Sequence, residues 1–296
     1  KKTAEIYVKE KFYKKKIFKP ISIISKNKKI RLGYYSADFY NHAMSYLLAG
    51  LFKQHDKSKF ELFAFSFGPE KNDEMSKKIP NYFNDFVKVN FKTDKEIAEI
   101  SRNLKIDIAI DLLCFTTNNR MGIFSERCAP TQVNYLGYPG TSGTNFIDYI
   151  IADKILIPKE SQKYYSEKII YLPNTYQARD SSLKISDKIF KREELGLPKN
   201  AFVFCCFNQN NKITPNIFDI WMRILKTVDK SVLWLLEDNS IAVKNLRKEA
   251  KKRKIDPERI IFAKRMPTAD HFARHKCADL FIDTFPYGAH TTCSDS

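Results

Sequence analysis

No apolar run in this 296-residue sequence reaches the ~18–20 residues that a bilayer crossing needs, so no membrane span is expected. Lys1 to Pro20 is lysine-rich and lacks both a continuous apolar core and a small-residue cleavage site, so it does not read as a secretory signal. The six cysteines include no C-x-x-C pair, which leaves buried free thiols in a reducing cytoplasm as the simplest expectation. Cys205 and Cys206 are adjacent in an apolar strand, where their side chains take opposite faces. No group of His, Cys, Asp and Glu has metal-ligand spacing, so no metal is expected. His271 and His275 share a helix face, but Phe272-Ala273-Arg274 between them lacks the glutamate of a metalloprotease helix. Also missing are G-x-G-x-x-G after the first strand, G-x-x-x-x-G-K-S/T and G-x-S-x-G. These absences argue against dehydrogenases, P-loop NTPases and α/β-hydrolases. Acidic residues are short as well, 34 against 51 basic, for a formal charge of +17. Lysine dominates and is spread throughout. Its clusters, Lys11 with Lys14 to Lys16 and Lys248 with Lys251 to Lys254 through Arg253, are not interleaved with stacking aromatics and glycine as RNA-binding surfaces are. The charge reads as compositional bias on solvated faces, and no nucleic-acid partner is expected.

What is present suits an α/β protein. Hydrophobic residues make up 43% and aromatics 14%, enough for the cores of two domains. After a basic N-terminal extension, 1–29, strands and helices alternate. Strands are predicted at 30–35, 60–67, 85–90, 106–113, 132–137 and 149–152, with helices at 44–53 and 93–104. Thr93 caps the second helix. This is a βαβ series and implies a largely parallel sheet over a first domain at 30–180. A charged stretch without long apolar runs, ending in Gly196-Leu197-Pro198, gives a linker at 181–200. A second series fills 201–296, with strands at 202–207, 231–237, 259–262 and 279–285 and helices at 215–228, 241–254 and 269–277. The chain stops at Ser296 just inside a further helix, so the second domain is expected to be incomplete.

Candidate chemistry lies in the turns. The strand 279–285 runs through Pro286-Tyr287-Gly288 into His290, Thr291 and Thr292 at a helix start. Unpaired N–H groups and the helix dipole make such a start a pyrophosphate site. Asp295, one turn on, is placed to accept from ribose hydroxyls. The same segment is compatible with an ordinary strand–turn–helix junction. Phe207-Asn208-Gln209-Asn210-Asn211-Lys212 links a buried strand to a Pro-initiated helix, at the carboxyl edge where ligands bind. Lys212 there suits a phosphate leaving group, and equally a solvent-exposed loop. His42 also follows a strand. The loop from Gly137 through Pro139 to Gly143 lets backbone approach a ligand, or is a tight surface turn.

Taken in order, Asp38-Phe39-Tyr40-Asn41-His42, Leu136-Gly137-Tyr138-Pro139-Gly140-Thr141-Ser142-Gly143, Phe207-Asn208-Gln209 with Lys212, and Gly288-Ala289-His290-Thr291-Thr292 with Asp295 resemble the catalytic region of the protein O-GlcNAc transferase/SPINDLY family, in particular its bacterial members. The resemblance runs from about Ile30 to Ser296 and stops before the family's catalytic region does. It implies a GT-B fold of two Rossmann-like domains facing a cleft, and a metal-independent inverting glycosyltransferase acting on Ser or Thr of proteins. It implies no cofactor beyond the nucleotide-sugar donor. It assigns Lys212 to the diphosphate leaving group, Gln209 to the nucleotide, His290, Thr291 and Thr292 to the phosphates, and Asp295 to the ribose. Met266, His271 and Arg274 would form the base pocket, His42 would sit near the acceptor hydroxyl, and Gly137 and Pro139 would border the sugar. Animal members carry a Lys three residues before the base-pocket His, where this chain has Thr268. Thr116-Thr117-Asn118-Asn119-Arg120 and Asp283-Thr284-Phe285-Pro286-Tyr287 look like the SPINDLY branch, which uses GDP-fucose. His290 before Thr291-Thr292, and Ser231 to Leu236, look like the O-GlcNAc branch, and the expected donor is UDP-GlcNAc. Tetratricopeptide repeats usually precede this region; none is recognisable in Lys1 to Lys29. An inactive nucleotide-sugar or protein-binding module is the competing reading.

Overall fold

The structure is a computed structural model that describes residues 1–12, 21 and 28–296. The basic cluster Lys14 to Lys16 lies outside the described residues. The chain divides into two compact units, Lys1–Ser182 and Leu183–Ser296.

The first unit opens with helix α1 (Lys2–Phe12) and then alternates: β1 (Ile30–Ser36), α2 (Ala43–Gln54), β2 (Phe60–Ser66), α3 (Glu74–Lys78), β3 (Asp85–Lys88), α4 (Asp94–Asn103), β4 (Ile108–Asp111), α5 (Met121–Ser125), β5 (Thr131–Asn134), β6 (Tyr149–Ala152) and β7 (Lys168–Tyr171). The strands form one sheet in the order β3-β2-β1-β4-β5-β6-β7, and every pairing is parallel. Alternate residues feed two cores, as a period of two requires. Leu32, Tyr34, Leu62 and Ile110 pack with Leu47, Leu48 and Phe52 of α2. Tyr35, Phe63, Phe65 and Ala109 pack on the other face with Ile97 and Ala98 of α4. Helix α4 starts where its sequence says: Thr93 accepts from the Glu96 N–H at 3.2 Å, and Glu96 accepts from the Thr93 N–H at 2.7 Å. The N-terminal segment is more than a charged extension. Val8 of α1 is buried, and Tyr7 meets the Phe115 ring edge-on at 5.6 Å.

The second unit contains β8 (Phe202–Cys206), α6 (Pro215–Thr227), β9 (Ser231–Leu236), α7 (Ser240–Lys252), β10 (Ile260–Ala263), α8 (Thr268–Arg274), β11 (Leu280–Phe281) and α9 (Thr291–Asp295). Its parallel sheet runs β10-β9-β8-β11. Cys206 and Leu235 face Trp221 and Met222 of α6, while Cys205 and Trp234 face Cys277 and Leu197 on the other side. All six cysteines are free; five are buried, and Cys293, on α9, is exposed. Of the residues 181–200, read from sequence as linker, those from Leu183 onward belong to this unit. Phe190 and Leu195 join its core, and Arg192 donates to the Ala201 carbonyl at 2.7 Å and pairs with Asp279 at 2.7 Å.

The expected strand at 279–285 is only two residues long, Leu280–Phe281. Beyond it the Asp283 carboxylate accepts from the Thr284 and Ala289 N–H groups, both at 2.7 Å, and curls the chain into a compact loop. Local hydrogen bonding to a turn carboxylate wins over the ladder.

Candidate functional site

Each sheet has a point where the strand order reverses. In the first unit the chain builds outward from β1 to β3 and then returns to place β4 on the other side of β1. In the second it builds from β8 to β10 and returns to place β11 beside β8. Connections leave such neighbours in opposite directions, which opens a crevice at their carboxyl ends, where ligands of open α/β sheets bind.

In the second unit the loops after β8 and β11 meet at this point. Asn208, 2% exposed, joins them. Its Nδ2 donates to Asp283 at 3.0 Å and to the Thr284 hydroxyl at 2.8 Å, and its Oδ1 accepts from the Thr292 hydroxyl. The Thr284 hydroxyl in turn donates to the Tyr287 carbonyl at 2.7 Å. Lys212 closes a one-turn 3-10 helix, Asn210–Lys212, whose entry residue is the exposed Gln209. The Lys212 Nζ donates to the Gly288 carbonyl at 3.1 Å and lies 4.0 Å from the centre of the Tyr287 ring. Burial lowers the Lys212 pKa, and the nearby Asp283 carboxylate opposes the shift. Burial also lowers the pKa of His290, and the Lys212 charge adds to the effect. Lys212, His290 and Thr292 are therefore brought to one place. Thr291 is the first residue of α9 and is half-buried.

A second group surrounds Phe207, just past β8. The His271 ring is 5.3 Å from it, the His275 ring 5.1 Å, and the Arg274 guanidinium 4.7 Å. The two histidine rings meet edge-on at 4.7 Å. Burial, with Arg274 and His275 as lesser causes, holds the His271 pKa down at about 3, so the ring is neutral. Arg274 is 1% exposed, donates to the Lys264 carbonyl at 2.6 Å, and is brought down by burial to about 10. Asp295 is close enough to raise the His275 pKa against the lowering caused by burial. Met266 is half-buried on the loop between β10 and α8.

In the first unit His42 caps α2. Its Nδ1 accepts from the Met44 N–H at 3.4 Å and lies 3.5 Å from the Asp38 carboxylate. Burial raises the Asp38 pKa, and His42 opposes the shift. Gly137 sits where a Cβ would lie 2.0 Å from the Leu112 carbonyl oxygen, so only glycine lets the loop after β5 pass β4. The Pro139 carbonyl accepts from the Tyr165 hydroxyl at 3.0 Å. The buried Glu167 carboxylate clamps the far end of this loop. It accepts the Thr141 hydroxyl at 2.7 Å, the Ser142 N–H at 2.6 Å and the Ser142 hydroxyl. Among the described residues no three His, Cys, Asp or Glu side chains are grouped to hold a metal ion, and no helix is long and apolar enough to cross a membrane.

Sequence reasoning had missed Asn208, Asp283 and Glu167. Asp283 had a usable signal, an Asp entering a Pro/Gly turn. Glu167 had none.

Two parallel α/β units, each with ligand-type loops at its switch point, define a GT-B type glycosyltransferase fold. The model of the family described as Glycosyl transferase family 41 matches residues 6–186 and 182–296, and the chain belongs to that family. It is 36% identical over 273 residues to a probable UDP-N-acetylglucosamine–peptide N-acetylglucosaminyltransferase, SEC, of Arabidopsis thaliana, covering 90% of this chain and 28% of that protein. It is 28% identical over 280 residues to the Arabidopsis thaliana protein SPINDLY, described in the same words, covering 90% of this chain and 30% of that one. Among solved structures it matches a mutant O-GlcNAc transferase of Thermobaculum terrenum with a TM-score of 0.86 and 25% identity, over 99% of this chain and 55% of the other. The chain thus spans under a third of the length of these curated relatives.

Proposed function

We propose that this chain carries donor-binding and acceptor-side groups of an inverting, metal-independent glycosyltransferase that moves N-acetylglucosamine from UDP-GlcNAc to Ser or Thr hydroxyls of proteins. One observation carries the proposal: the Lys212 ammonium is fixed at the switch point of the second unit, beside His290 and the start of α9. The names of the relatives supply the donor and the acceptor class.

In this reading the acceptor hydroxyl attacks the anomeric carbon as the bond to the β-phosphate oxygen breaks. Negative charge grows on the diphosphate. Lys212 and the backbone N–H groups of Thr291 and Thr292 meet that charge from fixed positions. Asp295 accepts from the ribose hydroxyls. His271, Arg274 and Met266 take the base, and Gln209 contacts the nucleotide. His42 is assigned to the acceptor hydroxyl, with the Asp38 carboxylate 3.5 Å from its Nδ1. Gly137 and Pro139 border the sugar. Acceptor proteins or peptides are the partners, with tetratricopeptide repeats a candidate means of selecting them. The six free cysteines suit a reducing cytoplasm.

The test pairs calorimetric titration of UDP and GDP with transfer to a Ser/Thr peptide, with and without chelator. UDP binding and chelator-resistant GlcNAc transfer are expected. GDP preference with fucose transfer would move the protein to the other donor. Nucleotide binding without turnover would make it a binding module. Turnover stopped by chelator and restored by Mn²⁺ or Mg²⁺ would overturn the mechanism.

A further inference from the structure

Asp111 ends β4 and Asn134 ends β5, and the two are register partners in the parallel pair. Register partners project from the same face, on strands ~4.8 Å apart. Both are buried, Asp111 at 2% and Asn134 at 1% exposure. The Asn134 Nδ2 donates to the Tyr138 carbonyl at 3.1 Å and to the Gly140 carbonyl at 3.3 Å, on the loop that carries Gly137 and Pro139. Those two carbonyls fix the orientation of the amide, because a flipped amide would set oxygen against oxygen. The Asn134 Oδ1 is then buried with no hydrogen-bond partner among the described residues. A buried acceptor without a donor is costly and calls for an explanation.

The Asp111 Oδ1 accepts from the Leu113 N–H at 2.9 Å and the Cys114 N–H at 3.1 Å, which leaves Oδ2 for another role. An ionised carboxylate and an amide oxygen can only accept, so side by side they repel. A proton on the carboxyl turns the pair into donor and acceptor. We propose that Asp111 carries a proton and donates it to the Asn134 Oδ1, making the two residues a latch that positions the Gly137–Gly140 loop.

The surroundings favour the neutral acid. Burial pushes the Asp111 carboxyl up to about 6 against the two N–H donors. Among the described residues, the ionisable groups that face it include Tyr35 from β1, Cys114 from its own loop and Cys128 from the turn before β5. Burial pushes the pKa of each of these groups up, so none supplies a positive charge to hold the carboxylate. A raised folded-state value means that the latch stabilises at low pH and is lost as pH rises through about 6.

Asp111→Asn separates this latch from a simple turn-capping carboxylate. The introduced amide oxygen keeps both N–H bonds, and the introduced N–H donates to Asn134 at every pH. The wild-type melting temperature should fall between pH 5 and pH 8 by ~2–4 °C more than that of the variant. Hydrogen exchange of the segment 136–143 should speed up over the same range in the wild type and stay slow in the variant. Asn134→Val removes the acceptor, so its loop exchange should be fast and independent of pH. That arm also reads the latch if Asp111→Asn does not fold. The proposal is overturned if Asp111→Asn melts below the wild type at pH 8, or if Asn134→Val keeps the pH-dependent exchange. Neither measurement depends on the donor or on turnover.

Discussion

Replacing Lys212 with alanine isolates the central electrostatic claim. The Nζ is held between the Gly288 carbonyl at 3.1 Å and the Tyr287 ring at 4.0 Å, and Asp283 opposes the pKa lowering that burial imposes. It is thus aimed rather than free to wander. A unit charge ~4 Å from a developing oxyanion at an effective dielectric of ~20 is worth ~4 kcal/mol, or about three decades in rate. Loss of one preorganised oxyanion donor gives a similar ~10²–10³ loss in turnover. Much less of this is felt by bound UDP-GlcNAc, whose diphosphate charge has not yet grown. The variant should therefore lose ~10²–10³ in kcat while UDP-GlcNAc affinity stays within about tenfold. The assay is initial-rate transfer to a Ser/Thr peptide with calorimetry on UDP-GlcNAc. Lys212 belongs to neither core cluster of its unit, so a near-native Tm is the folding control. Turnover within a few-fold of wild type would refute the role. Loss of UDP-GlcNAc binding in proportion to kcat would show that the charge serves ground-state binding instead.

Asp295→Ala should weaken UDP by ~1.5–3 kcal/mol, the range for charged hydrogen bonds, and deoxyuridine diphosphate by clearly less; equal losses in calorimetry would remove the ribose assignment. Gly137→Ala forces a methyl against the Leu112 carbonyl, 2.0 Å from the ideal Cβ, and should destabilise the first unit by at least ~1–3 kcal/mol in urea unfolding. An unchanged midpoint would mean that the loop moves freely past β4. His271 stays neutral down to about 3, whereas an unfolded histidine takes up its proton near 6.5. Stability should therefore fall as pH drops from about 6.5 toward 3, and His271→Gln should flatten that limb of a Tm-versus-pH curve; identical slopes would show that the ring is not held neutral.

Sequence alone determined the elements whose causes are local. Thr93 and Pro215 announce the starts of α4 and α6, because helix starts are settled within a few residues. The alternation of apolar strands with amphipathic helices required parallel sheets, because parallel neighbours need a crossover. The placement of Lys212 and His290 in strand-to-helix loops was legible for the same reason. Tertiary structure alone decided what those loops build. Asn208 and Asp283 bond across 75 positions, Ser142 and Glu167 across 25, and no periodicity in the sequence encodes either pair. The register of β4 against β5 sets Asp111 beside Asn134, and a shift of one residue would turn one of them to the other face. Hydrogen-bond satisfaction of buried polar groups is a condition on the whole of each unit, so it shortens β11 and shapes the loops only once each sheet has formed.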